Sequence, residues 1–388
     1  MQNTISEQAD IIIIGAGPAG ATCALQLRHA PHLRVILLDK ATFPRTKVCG
    51  DAIGGHSMKL LAKHCPELVE DFRTFPLKTR TRQTQFFVNH QKPFLIKWVN
   101  EAYCCTRTDF DNFLFQGVKK YAKNVEIVEG FSVHQIEQNT EGVTVFNKDA
   151  SKSYSAKIII GADGAHSVVA KQLTDTRMEH HHHSAAVRTY FEGVTAMDEN
   201  TTEVYVSKAF TPGYFWVFPV SETVVNVGFG MLSEEVSKRD INLRKALFEF
   251  IEQTPVLKAK FNSAKQIGKI EGFGLPMGTR QVPMSGDGFL LTGDAASLID
   301  PASGDGIGNA IASGIFASEK AIKAFEKNDF SASFLRTYDQ QVWQFLGKEL
   351  KDNTLRLRIY TRFPWLADAG AWLMGNDFIN RMVKKFGI

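Results

Sequence analysis

The 388-residue sequence contains no run approaching the roughly 18 consecutive apolar residues that a membrane-spanning helix needs, so no spanning segment is expected. Its five cysteines are odd in number, show no C-x-x-C spacing and include the adjacent pair Cys104 and Cys105, which excludes a disulfide framework or a zinc ribbon and fits a reducing compartment. No sign of charge dominates. The 45 Lys and Arg exceed the 41 Asp and Glu by four, too even a balance for the footprint of a nucleic-acid binder. Six basic residues beyond position 354 (Arg356, Arg358, Arg362, Arg381, Lys384, Lys385), set against Asp368 and Asp377, supply the whole of that excess. The opening MQNTISEQAD has no basic leader ahead of an apolar stretch, so a cytoplasmic location is expected, with a peripheral membrane contact left open. With 44% apolar and 22% charged residues the chain can bury a large core, and at about 150 residues per domain it has room for two to three domains.

What is present begins with Ile11-Ile12-Ile13-Ile14, a β-branched run too short for a helix, followed by Gly15-Ala16-Gly17-Pro18-Ala19-Gly20 and a helical stretch. A second β-rich run over 34–38 ends at Asp39, with Lys40 beside it, completing a βαβ unit. In this G-x-G-x-x-G, Gly15 permits the turn, Gly17 lets the backbone approach a pyrophosphate and Gly20 packs the helix on the strand. Asp39, 24 residues after Gly15, is placed to accept from ribose hydroxyls. The spacing also predicts a helix over 107–121, short strands over 83–99 and 125–146, and a buried strand at 158–160. Alternating aromatic strands over 184–274 predict a mostly antiparallel inserted sheet, and the pattern beyond 330 is helical. The expected fold is α/β: a Rossmann-like nucleotide-binding domain (1–80, 101–183 and 275–330), a substrate domain (81–100 and 184–274) and a helical C-terminal region (331–388).

Two later segments specify the nucleotide. Gly161-Ala162-Asp163-Gly164-Ala165-His166-Ser167 follows one buried strand. Thr292-Gly293-Asp294-Ala295-Ala296, with Pro301, Gly304, Asp305, Gly306, Ile307 and Gly308, follows another. Together with the opening fingerprint these resemble the three FAD-binding signatures of the flavoprotein family that includes para-hydroxybenzoate hydroxylase. The resemblance implies that Asp294 contacts the ribityl and pyrophosphate side of FAD, and that Arg107, in R-T-D-F-D-N-F-L, runs along it. The glycine-rich opening of a helix near Gly306 also suits the anionic edge of a reduced flavin, through free backbone N–H groups and the helix dipole.

A narrower resemblance, to the geranylgeranyl reductase family, rests on two strings. Pro44-Arg45-Thr46-Lys47-Val48-Cys49-Gly50-Asp51-Ala52 is similar to that family's P-R-x-K-x-C-G-D-A segment, and Tyr214-x-Trp216-x-Phe218-Pro219, eight residues, then Gly228-x-Gly230 matches its Y-x-W-x-F-P-x(8)-G-x-G pattern. The resemblance implies that the cysteine segment lies beside the flavin and that Tyr214, Trp216, Phe218 and Pro219 roof an apolar substrate cavity. On residue chemistry alone, the aromatics equally suit one face of a core strand, Cys49 a small buried side chain, and Arg45 and Lys47 solvated loop charges.

The expected activity is therefore FAD-dependent reduction of carbon–carbon double bonds in a polyprenyl or similarly apolar substrate. The single G-x-G-x-x-G leaves electrons to arrive from transiently docked NAD(P)H or a reduced carrier. Candidate proton donors are Cys49, Tyr214 and water. The alternatives are a flavin monooxygenase of the hydroxylase type, a flavin halogenase whose W-x-W-x-I-P signature is only approximated, or a non-catalytic flavin or lipid carrier. The run His180-His181-His182-His183 predicts a solvent-facing loop and no metal, because consecutive residues on a strand or loop cannot all face one ion and no nearby acidic or thiolate cluster completes a tetrahedron. Trp343, Trp365 and Trp372, with Phe378, Ile379, Met382, Val383 and Phe386, suit either a helix packed on the body or a surface at a lipid interface.

Overall fold

A computed structural model describes residues 5–89 and 91–375. Three sheets organise it. The first, of six strands, has the order β17(Ser285–Gly286), β18(Phe289–Leu291), β11(Ile158–Gly161), β2(Ile11–Ile14), β3(Val35–Asp39), β7(Val125–Glu129). All its pairs are parallel except the β17–β18 hairpin. The near-continuous Ile, Val and Leu of β2, β3 and β11 are buried on both faces, as parallel strands covered by helices require. Helix α1(Pro18–Leu27), buried along its whole length, packs beside α9(Ile307–Lys327) and α4(Arg107–Tyr121).

The second sheet has eight strands, in the order β16(Lys265–Pro276), β12(His183–Glu192), β15(Val224–Leu232), β14(Tyr214–Pro219), β13(Thr201–Val206), β5(Thr79–Val88), β6(Phe94–Cys104), β4(Ala52–Ile53). It is antiparallel apart from the β13–β5 pair. Register places Arg188, Gly228, Trp216, Val204, Phe86 and Phe94 in one row across its front face. The back face carries a second core, in which Phe215, Val217, Val227 and Phe229 meet Leu247, Phe250 and Leu257.

The mostly antiparallel sheet expected over 184–274 forms, with a helical interruption. Residues 233–261 form α6(Ser233–Lys238), α7(Leu243–Gln253) and α8(Pro255–Phe261). The apolar positions Ala246, Leu247, Phe250 and Ile251 recur at helical spacing and cover the back of the sheet. A second departure is a separate four-stranded sheet, β1(Ile5–Gln8), β10(Lys152–Ala156), β9(Gly142–Phe146), β8(Gln135–Asn139), beside the nucleotide sheet. The remaining helices are α2(Gly55–His64), α3(Pro66–Thr74), α5(Val168–Leu173), α10(Ala332–Leu335), α11(Thr337–Arg362) and α12(Trp365–Gly375). Along α11, Tyr338, Val342, Leu346 and Leu350 are buried, whereas Phe345, placed by periodicity on the same stripe, is exposed.

Candidate functional site

The loop between β2 and α1 is made from backbone. Gly15 adopts φ +99°, a region L side chains avoid, and a side chain on Gly20 would start 1.8 Å from the Gly15 carbonyl oxygen. Asp39 closes the turn from the end of β3: one carboxylate oxygen accepts from the Ala16 N–H and the other from the Ala41 N–H, each at 2.8 Å. Each oxygen keeps a lone pair for a further donor. Gly17 differs from its two partners in the motif. The only atom within 4 Å of where its side chain would begin is Arg45 Nη2, the far end of a flexible side chain. Gly17 is also the N-cap of α1 and supplies no side-chain hydrogen bond, so the first N–H groups of the helix point at this approach.

A layer of cations covers that approach. Arg45 lies 3.0 Å from Asp111 and 4.0 Å from Asp39, and Lys47 Nζ donates to Asp294 at 3.1 Å. Arg107, at the start of α4, makes a two-pronged bond to Asp111 at 2.6 and 2.8 Å, with both residues buried. Burial alone would raise the Asp111 carboxyl, but Arg107 and Arg45 outweigh it and hold the group below the usual carboxylate range. The donor set therefore fits FAD: a glycine that leaves the backbone reachable, the uncapped terminus of α1, a carboxylate at the strand end and three adjacent cations.

The loop before α9 completes this side. Asp294 Oδ1 lies 3.3 Å from where a side chain on Gly306 would begin, and the buried Asp300 organises the Pro301 turn by accepting from Ala302 N, Ser303 N and Ser303 Oγ. Contrary to the expected row of free N–H groups, the first one of α9, on Ile307, is taken by Asp305 Oδ1 at 3.0 Å. Gly293 donates to Ser313 Oγ of α9. Ala19 is buried in α1, and Lys40 is exposed. Asp163 uses its carboxylate within the chain, accepting from Ser167 Oγ and Val168 N at the start of α5.

The cysteine segment and the aromatic string, far apart in sequence, interlock. Trp216 lies flat over β15: a side chain on Gly228 would begin 2.0 Å from its ring, which accounts for the glycine in that motif. Gly50 rests on the other side, 3.4 Å from Trp216 Nε1 and 3.6 Å from the Phe218 ring, measured from its missing Cβ. Asn226, opposite Phe218, ties the pieces together. It accepts from Trp216 Nε1 at 2.9 Å and donates to the Cys49 carbonyl at 2.8 Å and to Asp51 at 2.7 Å. Asp51, fully buried at φ +65°, also accepts from Tyr190 Oη at 2.6 Å and from the Arg107 backbone N–H at 3.2 Å. Burial pushes its carboxyl upward against these hydrogen bonds, and pushes the Cys49 thiol upward against the pull of Arg107. Tyr214, on the same face as Trp216, donates from its hydroxyl to the Ser303 carbonyl, linking the sheet to the Asp300 turn.

Sequence reasoning missed Tyr190, Asn226 and Asp111. Asn226 had a signal, being a lone amide inside a β-branched strand, and Asp111 stands one helical turn from Arg107. The histidine run also departs from expectation: residues 180–182 form a 3-10 turn, and Glu179 stands 3.2 Å from His181. Of the C-terminal tryptophans, Trp343 packs on the main core while Trp365 and Trp372 are exposed. Phe378, Ile379, Met382, Val383 and Phe386 lie outside the described residues.

Comparison with known proteins agrees with this geometry. The model of the FAD binding domain family matches residues 8–350. A digeranylgeranylglycerophospholipid reductase of Thermoplasma acidophilum is 27% identical over 389 residues, covering 97% of this chain and 91% of the relative. Digeranylgeranylglycerophospholipid reductase 2 of Methanopyrus kandleri is 27% identical over 344 residues, covering 88% and 84%. A geranylgeranyl bacteriochlorophyll reductase-like structure from Thermoplasma acidophilum superposes with a TM-score of 0.82 at 22% identity, covering 96% of this chain and 92% of the other. The halogenase PltM, solved with phloroglucinol and FAD, gives 0.75 at 20% identity over 91% of this chain and 76% of the other, a likeness of fold. The chain thus belongs to the FAD binding domain family, and the enzymes it resembles there are reductases of the geranylgeranyl type.

Proposed function

We propose that the protein is an FAD-dependent reductase that saturates carbon–carbon double bonds in the prenyl chains of a lipid. The observation that carries this reading is the interlock of Gly50 with Trp216 and Phe218, bridged by Asn226. It puts the cysteine segment, which also borders the cation layer through Arg45 and Lys47, directly on the aromatic face of the sheet. FAD, when bound, supplies the hydride. Gly15, Gly17, Gly20, Asp39, Arg45, Lys47, Arg107 and Asp294 would hold it, with the loop from Pro301 to Ile307 beside Asp294. The front-face row running from Trp216 through Val204 to Phe86 and Phe94, the last two stacked at 5.3 Å, offers an apolar strip suited to a polyene.

Reduction of an isolated alkene also needs a proton. Desolvation pushes the Cys49 thiol and the Tyr214 phenol upward, so each carries a proton at neutral pH and gives it up only to a strongly basic centre. NAD(P)H or a reduced carrier protein docks transiently to recharge the flavin. No helix among the described residues is long and apolar enough to cross a membrane. A lipid substrate is instead met from the cytoplasmic side, with the exposed Phe363, Trp365, Trp372 and Leu373 and the basic Arg358 and Arg362 as the contact.

The test is anaerobic. The FAD-loaded protein, reduced chemically and given a digeranylgeranyl phospholipid, is expected to yield product heavier by two hydrogens for each bond saturated, read by mass spectrometry. A product heavier by oxygen in air would make it a monooxygenase. Unchanged lipid under both conditions would leave a carrier.

A further inference from the structure

The crossover from α5 into β12 holds a cluster that the flavin site does not use. In the 3-10 turn at His180–His182 successive side chains step around the axis by about a third of a turn, and His181 and His182 still lie side by side. Glu179, His181 and His182 each offer one ligand atom, and these atoms lie within 4.8 Å of one another. Glu179 Oε2 stands 3.2 Å from His181 Nε2, and the two imidazole centroids are 4.2 Å apart.

The neighbours keep this arrangement in place. Arg280, from the returning crossover after β16, holds the second carboxylate oxygen, Glu179 Oε1, and donates to the Arg177 carbonyl at 2.6 Å. Thr279 Oγ1 lies 2.6 Å from His182 Nδ1, and the Met277 N–H donates to the His182 carbonyl at 3.0 Å. Ligands whose other polar atoms are held by a surrounding shell are the usual construction of a metal centre.

We propose that Glu179, His181 and His182 form a binding site for a divalent transition ion of the zinc class. Two imidazoles and one carboxylate suit a borderline ion, and the exposed side of His181 leaves a fourth position to water. His180, exposed on the same turn, is outside the ligand set.

The test is calorimetric titration of the FAD-loaded full-length protein with zinc chloride, with flavin absorbance confirming that each variant is folded. One ion per chain is expected. Substitutions E179Q, H181A and H182A should each weaken binding about tenfold or more, and H180A should leave it unchanged. Absence of stoichiometric uptake overturns the proposal. So does a loss on H180A equal to that on H181A, or a harmless E179Q, because either would reduce the site to a run of accessible imidazoles.

Discussion

Gly17 and Gly228 are both glycines with something larger set against them, and the difference lies in what that is. At Gly17 only the movable end of Arg45 comes near, whereas at Gly228 the Trp216 ring lies where a side chain would begin. The nucleotide side of the molecule is a backbone surface kept open to a ligand. The sheet side is closed by the chain's own side chains, Trp216, Asn226 and Asp51, packed and hydrogen-bonded to one another. Substitutions of equal size should therefore be read out differently on the two sides, in ligand affinity on the first and in folding on the second.

The largest effect is expected where the two regions join. Arg107 reaches the sheet side through its backbone N–H on Asp51 and the nucleotide side through its guanidinium on Asp111. Replacing it with methionine leaves the buried Asp111 with Arg45 as its remaining close partner at 3.0 Å, and R107M should lose about 1.5–3 kcal/mol in urea unfolding together with its flavin. The pH dependence follows with a definite sign. Asp111 titrates below its ordinary value in the folded protein, so its contribution is present above about pH 4 and is lost as pH falls below that. In R107M the Asp111 carboxyl keeps Arg45 but loses the bidentate Arg107, so it is held less far below the ordinary range and acid unfolding should begin at higher pH than in the wild type. An unchanged acid limb would break the claim that this pair joins the two sides.

A matched pair of smaller substitutions sharpens the contrast. At Gly228 an added methyl group meets Trp216, and G228A should cost about 1–3 kcal/mol of stability while flavin absorbance survives dialysis. At Gly17 the backbone is extended, at φ −71° and ψ −173°, which alanine adopts without strain. G17A should keep its unfolding midpoint or gain about 0.4–1 kcal/mol, and lose flavin on dialysis. If G17A unfolds early or G228A releases its flavin, the distinction between a side built for a ligand and a side built on itself fails.

The same contrast explains how much was legible in the sequence. The nucleotide side is local: Gly15 to Asp39 is one βαβ unit, and the turn, the helix start and the strand-end carboxylate each follow from adjacent residues. The helix over 107–121 was visible through its apolar spacing in the same way. The interlock is not local. That Asn226 bridges Cys49, Asp51 and Trp216 depends on the register of β14 against β15 and on the cysteine segment crossing the face of the sheet, which no short window contains. The helices over 233–261 were hidden for a plainer reason, the surrounding aromatic alternation having been extended through a stretch whose apolar spacing is helical. The histidine run faces solvent at His180 and His181, as its composition suggests, but the 3-10 turn that sets His181 beside His182 is not visible in a run of identical residues.

The smallest effect tests a side chain that ties the aromatic face directly to the loop before α9. The Tyr214 hydroxyl donates to the Ser303 carbonyl, next to Gly304 and the Asp300 turn, and its ring stands 5.8 Å from that of Trp216. Y214F keeps the ring and removes the hydrogen bond, which at this half-exposed position costs about 0.5–1.5 kcal/mol because water reaches the freed carbonyl. Flavin affinity should change little, since the Asp300 turn is held separately by Asn353, which donates to Asp300 Oδ2 at 2.6 Å. Turnover then decides the role of the phenol. If Tyr214 only fastens sheet to loop, Y214F reduces lipid at nearly the wild-type rate. If it delivers the proton, turnover collapses with flavin and fold intact, which leaves Cys49, lying against the same sheet face, without that role.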